Sequence, residues 1–498
     1  MNAGPSRRQV LTIGAVGAGA LLTGAAIAIA TQGPWSRPSA GEPAAPDTPG
    51  TPDSSTPPAG SDGWAQPEVR HSRDGVLDLD LRVAAADVTV AGATVRMLTY
   101  NGTVPGPTLH VRPGDVLRVR LQNDLTVPTN LHTHGLHVSA EGASDNPFVD
   151  IAPGESHSYE IQVPADHPHG VNWYHPHRHG TVADQIFGGL YGALVVDADD
   201  WSEGAPRVVV VSDTTVANGA VAAVSNAERM AGRTGTTLLT NGQPAPALLG
   251  PAGSEQRLLI INACASRYLD LDFTGLDATR RGVDSLAATP PSPTTRELLT
   301  PGNRLDVTVR VPGAAGELRA LPVDRGQVGM GMGRQNTATA PETVLRLVPD
   351  QAVAAPAVAA ARLTEWPDLR EREPARRRTL TFTMGMGGGA GMRFLIDGRE
   401  YDHHRVDQQV ELGTVEEWTI VNDSSMAHPF HLHIWPMQVV ATDAGSVEGL
   451  EVRDVVHVPQ FGSVTVRIAF ERFPGRTVYH CHILDHEDLG MMGIVEAA

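Results

Sequence analysis

The C-terminal region of the chain contains the stretch His480-Cys481-His482-Ile483-Leu484-Asp485-His486-Glu487-Asp488-Leu489-Gly490-Met491-Met492. A cysteine between two histidines, a third histidine five residues later and a methionine ten residues later offer thiolate, imidazole and thioether, which suit copper. Successive side chains of a strand point to opposite faces, so Cys481 faces one way while His480 and His482 face the other. The stretch therefore predicts two metal sites, back to back on one strand.

The rest of the 498-residue chain has the pattern of an all-β protein. Short alternating runs of Val, Leu and Ile lie between Pro, Gly, Asn and Asp, which is typical of β-sandwiches. A strand that ends on asparagine recurs at Leu117–Asn123, Arg257–Asn262 and Glu417–Asn422, a period of roughly 150 residues. Three copies of one β-sandwich are the simplest explanation.

These repeats divide the chain into segments. We predict the sandwiches at residues 67–200, 201–350 and 379–498, with a charged linker at 351–378. Residues 1–30 contain Arg7-Arg8 before an apolar run and resemble a twin-arginine export signal, which predicts an extracytoplasmic protein; an uncleaved membrane anchor is the alternative. Residues 31–66 are rich in Pro, Ala, Ser and Thr and predict a disordered spacer, which would act as a tether or a free leader.

Charge and cysteine content exclude other classes. The formal net charge of −18 argues against nucleic acid or an anionic membrane as partner, because the long-range field repels both. Of the two cysteines, Cys264 ends an apolar strand pattern and is interpreted as a core residue without chemistry. If Cys481 binds metal, no intramolecular disulfide can form.

Histidines indicate where the chemistry lies. None occurs between His179 and His403, so the middle repeat supplies no imidazole. The metal sites are therefore expected between the first and third sandwiches, with the middle one as a spacer or a wall of the substrate entrance. The histidine motifs are His132-Thr133-His134, His175-Pro176-His177, His428-Pro429-Phe430-His431-Leu432-His433 and the C-terminal stretch.

With these four motifs in order, the chain from about residue 70 to its end resembles the three-domain multicopper oxidases, such as laccases, bilirubin oxidases and copper-efflux oxidases. The resemblance implies three consecutive cupredoxin-like Greek-key β-sandwiches and four copper ions. One type 1 copper would take electrons from a phenol, an aromatic amine or a reduced metal ion. A cluster of one type 2 and two type 3 coppers would reduce dioxygen to water.

The resemblance also implies a ligand set. The type 1 ligands would be His428, Cys481, His486 and Met491, and the type 2 ligands His132 and His431. The type 3 ligands would be His134, His175, His177, His433, His480 and His482. Because Cys481 lies between two of them in sequence, an electron that enters its sulfur can pass through the backbone to either neighbour.

Comparison of the first and third repeats indicates a lost site. Pro176 stands between two histidines where Cys481 stands in the third repeat, and Thr129 takes the place of His428. The first repeat is therefore expected to retain its half of the shared cluster and to lack a type 1 copper.

Two carboxylates are candidates for proton delivery, which oxygen reduction requires. Glu487 directly follows His486, and Asp145 lies in the loop after His134; plain surface roles are the alternative. His137 and His179 are expected to orient ligands or to pack beside them. His403, His404 and His457 are interpreted as ordinary residues.

The substrate stays open at this level. Two Gly/Met runs, which contain Met330, Met332, Met384, Met386 and Met392, would suit Cu(I). A dedicated cuprous or ferrous metallo-oxidase is thus an alternative to a laccase-like enzyme. A copper nitrite reductase would not need the complete set of His-x-His motifs, and a scaffold without copper would not fill every ligand position.

Overall fold

A computed structural model describes residues 64–198, 201, 204–284, 286–287, 289–326, 340–360, 362–387 and 391–498. The predicted signal, most of the predicted spacer, Met330 and Met332 lie outside these residues. Among the described residues, no helix combines the length and the apolar character needed to cross a membrane.

The first sandwich consists of a five-stranded and a six-stranded sheet. Its strands are β1 (Val69–His71), β2 (Val76–Val90), β3 (Ala93–Tyr100), β4 (Thr108–Val111), β5 (Val116–Asn123), β6 (His132–His134), β7 (Ser156–Gln162), β8 (Gly170–His175) and β9 (Gly192–Val196), with helix α1 (Val182–Gly188) between the last two. In β5, Leu117, Val119 and Leu121 are at most 1% exposed, whereas the two arginines between them face solvent. This alternation places one face of the sheet on the core.

The second sandwich pairs a six-stranded sheet with a five-stranded one. Its strands are β10 (Arg207–Thr214), β13 (Thr237–Thr240), β14 (Ala247–Gly250), β15 (Glu255–Asn262), β16 (Leu269–Asp272), β17 (Ala278–Val283), β18 (Ser292–Thr294), β19 (Arg296–Leu299), β20 (Arg304–Arg310), β21 (Gly316–Leu321) and β22 (Glu342–Pro349). The hairpin of β11 (Val216–Ala217) and β12 (Ala220–Val221) instead extends a sheet of the first sandwich, and helix α2 (Asn226–Ala231) follows it. Trp64, inside the range predicted for the spacer, packs in the core of the second sandwich.

The third sandwich pairs a seven-stranded sheet with a five-stranded one. Its strands are β23 (Arg376–Gly387), β24 (Gly391–Ile396), β25 (Gln408–Val410), β26 (Thr414–Asp423), β27 (His428–Leu432), β28 (Met437–Thr442), β29 (Gly445–Ser446), β30 (Val452–Arg453), β31 (Val455–Val458), β32 (Ser463–Phe470), β33 (Gly475–Cys481) and β34 (Met492–Ala497), with helix α3 (Leu484–Asp488) after β33. A 3-10 turn, Leu369–Glu371, precedes β23. The first residues of β23 fall within the range predicted for the linker.

The five-stranded sheets of the first and third sandwiches carry the histidine motifs. β27 pairs with β33 so that His431 lies opposite His480, and β6 pairs with β8 so that His132 lies opposite His175. Because the pleat has a period of two, His433 and His482 share the face of that first pair, while Cys481 points to the other face.

Candidate metal centres

Three side chains converge on the core side of β27 and β33, and we call them the thiolate cluster: His428, Cys481 and His486. Cys481 Sγ lies 3.3 Å from His428 Nδ1 and 3.9 Å from His486 Nδ1, and the two nitrogens are 3.3 Å apart. All three side chains are fully buried. Met491 is also fully buried in the apolar core around Cys481, and its carbonyl accepts a hydrogen bond from the Cys481 amide.

The chain after β33 brings His486 back to the sulfur. Helix α3 begins directly after Ile483, whose carbonyl accepts the His486 amide, so the ring turns towards Cys481. The far nitrogens of the two imidazoles also have partners. His428 Nε2 lies 3.1 Å from Ser424 Oγ, and His486 Nε2 lies 3.2 Å from the Met230 carbonyl at the end of α2. Both rings are thus held with Nδ1 directed at the sulfur.

Eight imidazoles gather between the first and third sandwiches, and we call them the histidine cluster. None is more than 2% exposed. Four come from each sandwich: His132, His134, His175, His177, His431, His433, His480 and His482. These are the positions that the resemblance assigned to the type 2 and type 3 coppers.

One side of the histidine cluster forms a triangle of nitrogens. The Nε2 atoms of His177, His433 and His480 are 3.1, 3.1 and 3.2 Å apart. Hydrogen bonds cannot satisfy all three contacts, because a neutral imidazole has one N–H. Metal–imidazole bonds are about 2.0–2.1 Å long at zinc sites, and a similar length places one ion within this triangle.

The other side holds the remaining five rings. His134 Nδ1 lies 3.5 Å from His175 Nε2, and the His482 ring centroid is 5.0 Å from that of His134. Within the described part of the chain, His132 Nε2 and His431 Nε2 have no hydrogen-bond partner although both are buried. Ligand atoms of His132 and His431 lie within 4.8 Å of each other, and buried nitrogens without a hydrogen-bond partner are suited to bind a cation.

Burial explains why these groups suit a metal. It lowers the pKa of every ring in both clusters, for His177 and His480 to about 4, so the imidazoles stay neutral with a free lone pair. Burial also raises the pKa of the Cys481 thiol far above its ordinary value. The thiolate therefore needs a cation beside it, and a set of one sulfur and two imidazoles suits copper.

Both candidate carboxylates lie at the histidine cluster. Glu487 is fully buried, with Oε2 3.1 Å from His480 Nδ1 and Oε1 3.6 Å from His177 Nε2. Asp145 is 1% exposed, accepts the Thr133 amide and lies 3.0 Å from His132 Nδ1. Burial raises the pKa of each carboxyl to about 7.

The chain is similar in sequence and fold to multicopper oxidases. Two family models described as "Multicopper oxidase" match residues 82–200 and 371–498. The multicopper oxidase mco of Staphylococcus aureus is 26% identical over 80% of this chain and 83% of its own. Bilirubin oxidase of Albifimbria verrucaria is 28% identical over 80% of this chain and 73% of its own. The structure of a multicopper oxidase from Campylobacter jejuni, described as a metallo-oxidase, has a TM-score of 0.75 and 27% identity over 87% of this chain and 96% of its own.

The chain belongs to the multicopper oxidase family. It is a copper-dependent oxidoreductase that oxidises a reducing substrate with dioxygen as acceptor. The cupredoxin-like sandwich fold predicted from the sequence is confirmed.

The first sandwich of this multicopper oxidase has a polar pair in place of a thiolate cluster. Thr129 Oγ1 and Gln185 Oε1 are 2.6 Å apart and both residues are buried. Gln185 lies on α1, the counterpart of α3. The Thr129 hydroxyl thus donates to the Gln185 side-chain oxygen in the first sandwich, where the third sandwich holds two imidazoles.

Asp488 joins the two sandwiches that hold the histidine cluster. Its carboxylate accepts the amides of Gly180 at 2.7 Å, Ala183 at 2.9 Å and Val182 at 3.2 Å, at the start of α1. Next to it, Asp485 binds Arg233 of the second sandwich at 2.6 Å. The helix that carries His486 and Glu487 is therefore fixed to both other domains of the oxidase.

Histidines outside the two clusters have ordinary contacts. The His137 amide donates to His167 Nε2 at 3.0 Å, and the His179 ring packs against Tyr401. His403 and His404 are exposed and pack edge to face, and the His457 ring meets Tyr268 edge to face.

Sequence reasoning missed what the middle domain of the oxidase contributes. It supplies no ring to either cluster, as predicted, yet it provides the Met230 carbonyl at His486 and Arg304 beside the histidine cluster. No sequence signal marked either residue, because one acts through its backbone and the other is a single arginine at the start of a strand.

Proposed function

We propose that the thiolate cluster, together with Met491, would hold the type 1 copper of an oxidase that reduces dioxygen to water with four electrons. The histidine cluster would hold the other three coppers, with His132 and His431 at type 2 and the remaining six rings at the type 3 pair. Copper in these places supplies one-electron redox chemistry. The observation that carries the proposal is the pair of buried ligand sets on opposite faces of β33.

The residues of β33 would provide the path for electron transfer between the two copper sites. Cys481 belongs to the thiolate cluster, and its two neighbours in sequence belong to the histidine cluster on the other face. A path of a few covalent bonds therefore joins the sulfur to each ring. Because the strand is paired on both sides, with β27 and β34, the separation of the sites is fixed.

Glu487 and Asp145 are proposed to serve the proton chemistry. The Glu487 carboxyl lies against a ring from each sandwich, so a proton on it is near the place where oxygen would be reduced. Asp145 holds the His132 Nδ1–H and so keeps Nε2 free for metal. A raised pKa lets each carboxyl carry a proton near neutral pH, as an acid catalyst requires.

Copper counting tests the proposal directly. The metal-free protein reconstituted with copper is expected to bind four ions per chain, one of them with the intense colour of a copper thiolate. Oxygen uptake with a one-electron donor is expected to stop at one dioxygen per four donor molecules, without peroxide. A protein that binds one copper, or that releases peroxide stoichiometrically, would contradict the assignment.

A metallo-oxidase is the second candidate, and the surroundings of the thiolate cluster favour it. Met230, Met384 and Met392 are half-buried and pack against the apolar core that contains Cys481. The Met230 carbonyl covers His486 Nε2, and neither imidazole of the cluster is exposed. Thioethers suit Cu(I), and the similar Campylobacter jejuni protein is described as a metallo-oxidase.

The triple variant Met230→Leu, Met384→Leu, Met392→Leu separates the two candidates. For a cuprous oxidase we expect KM for Cu(I) to rise by about tenfold or more, equivalent to about 1.4 kcal/mol of lost binding. Oxidation of a phenol should change little, because leucine has a similar volume. Oxygen-uptake kinetics with Cu(I), Fe(II) and a phenol provide the measurement. Met97→Leu, at a buried methionine of the first sandwich, is the control; equal KM values for Cu(I) in all three proteins would exclude the thioether role.

A further inference from the structure

The middle sandwich reaches the histidine cluster through one turn. Residues 300–303 form this turn, and Gly302 within it has φ +90°. A Cβ on Gly302 would lie 3.0 Å from His482 Nε2 and 3.1 Å from His134 Cε1. The backbone of a sandwich that has no histidine in its sequence therefore lies beside rings from both sandwiches that supply the histidine cluster.

Arg304 follows this turn and binds all three sandwiches. Its side chain is fully buried. Nε donates to the Val171 carbonyl of the first sandwich at 3.1 Å, and Nη1 donates to the Gly302 carbonyl of the second at 3.1 Å. Nη1 and Nη2 each donate to a carboxylate oxygen of Asp454 in the third, both at 2.6 Å. A planar guanidinium is suited to such a bidentate pair of hydrogen bonds with one carboxylate.

Gly135 leaves the room that this arginine needs. It directly follows His134 and has φ +94°. A Cβ there would clash with Arg304 Nη2. The guanidinium thus lies against the backbone of the His132-Thr133-His134 motif.

Asp454, which binds Arg304, also contacts two rings of the histidine cluster. Its Oδ1 lies 3.3 Å from His134 Nε2, and its carbonyl accepts from His431 Nδ1 at 2.8 Å. A proton on each of these nitrogens leaves His134 Nδ1 and His431 Nε2 free for metal. The first of them faces His175 Nε2 and the second has no partner within the described residues. Asp454 therefore fixes the tautomer of His134 in the first sandwich and that of His431 in the third.

A second buried carboxylate, Asp284 of the middle sandwich, binds the backbone and side chains next to Arg304. Asp284 is 1% exposed and accepts the Arg304 amide at 3.0 Å and Asn303 Nδ2 at 2.8 Å. The same Asn303 amide group donates to the Val455 carbonyl at 3.0 Å. The loop that bears Asp454 is thus bound to Arg304 and to the turn that precedes it.

We propose that Arg304 is a positioning residue for the histidine cluster, because it holds Asp454 where that residue orients His134 and His431. The inference rests on the ligand assignment under Proposed function. Carboxylates that orient metal-bound histidines are typically worth about 10–100-fold in metal affinity or activity. Without Arg304, the buried Asp454 carboxylate loses its counter-charge and its fixed orientation.

The test compares Arg304→Met with Arg267→Met. Arg267 is also a buried arginine of the middle sandwich, paired with Asp213 at 3.0 Å and Glu342 at 2.7 Å, away from the histidine cluster. Chelator competition on each reconstituted protein measures the affinities of the coppers, and electron paramagnetic resonance measures the type 2 signal. For Arg304→Met we expect an affinity of the type 2 and type 3 coppers lower by about 10–100-fold and an altered type 2 signal. The copper-thiolate absorption and its rate of loss on adding substrate should stay those of the wild type.

Two milder variants keep the test decisive if Arg304→Met does not fold. Arg304→Lys keeps the charge but loses the bidentate pair of hydrogen bonds, and Asp454→Asn keeps the shape but loses the charge. Both should therefore lower the affinity of the type 2 and type 3 coppers without changing that of the thiolate copper. Wild-type affinity and an unchanged type 2 signal in both would overturn the inference. Equal weakening of the thiolate copper, or the same loss in Arg267→Met, would also overturn it. Failure of the wild type itself to bind four coppers would instead refute the proposed function.

Discussion

Cys481→Ser is expected to abolish the copper-thiolate absorption and the oxidation of every substrate. Serine cannot provide the sulfur that lies 3.3 Å from His428 Nδ1, and a buried hydroxyl is a poor ligand for copper. The histidine cluster keeps all eight rings, because the backbone of β33 is unchanged. Metal analysis should therefore show a fall from four coppers to three or, if the type 1 place still fills, four coppers without colour.

The other cysteine is a matched control for this experiment. Cys264 is 1% exposed in the middle sandwich, and its Sγ lies 3.9 Å from the Val211 carbonyl, outside both clusters. Cys264→Ser should keep colour, copper content and turnover. A coloured, active Cys481→Ser protein would refute the assignment of the thiolate cluster, and a colourless Cys264→Ser protein would show that the cysteines were assigned the wrong way round.

Glu487→Gln is expected to slow oxygen consumption by about 10²–10⁴-fold, the usual value of a proton donor in a transition state. Glutamine fills the same volume between His177 and His480 but has no acidic proton. Copper content and the rate at which substrate bleaches the thiolate colour should stay near wild type, since that electron enters at the opposite face of β33. Stopped-flow mixing of the reduced protein with oxygen should show slow return of the colour.

Asp145→Asn tests the second candidate proton donor, and Asp213→Asn, outside both clusters, is the control. Asp145→Asn should also slow the return of colour, and a loss of type 2 copper in this variant would reveal that orienting His132 is its main role. Asp213→Asn alters a buried carboxylate of the middle sandwich that binds Arg267 and the Gly235 amide, and it should have no kinetic effect. Wild-type rates of colour return in Glu487→Gln and Asp145→Asn would mean that protons arrive by another route.

The sequence predicted the parts of the site that follow from short-range geometry. The alternation of side chains along a strand placed Cys481 on one face of β33 and its two neighbouring histidines on the other. The pairing of His431 with His480 agrees with this prediction. The absence of histidine from the middle repeat correctly indicated that both clusters lie elsewhere. A motif confined to a few residues of one strand carries its own geometry, whatever the remaining chain does.

The contributions of the middle sandwich could not be predicted in this way. Arg304 meets Asp454 across 150 residues of chain, and in the first sandwich it donates to the Val171 carbonyl and lies against Gly135. Such contacts arise from the packing of three separate domains, which no local period encodes. Met230 is similar, because the group that binds His486 is a backbone carbonyl that any residue would provide.

The contacts of Asp488 with α1 have a consequence for how the enzyme matures. Four rings of the histidine cluster lie before residue 178 and four after residue 430, so about 250 residues separate the two halves. During synthesis the first half leaves the ribosome long before its complement exists, and Asp488, which ties the two halves together, follows the last of the eight rings in sequence. A metal ion that needs rings from both halves therefore cannot be bound until the third sandwich has been synthesised.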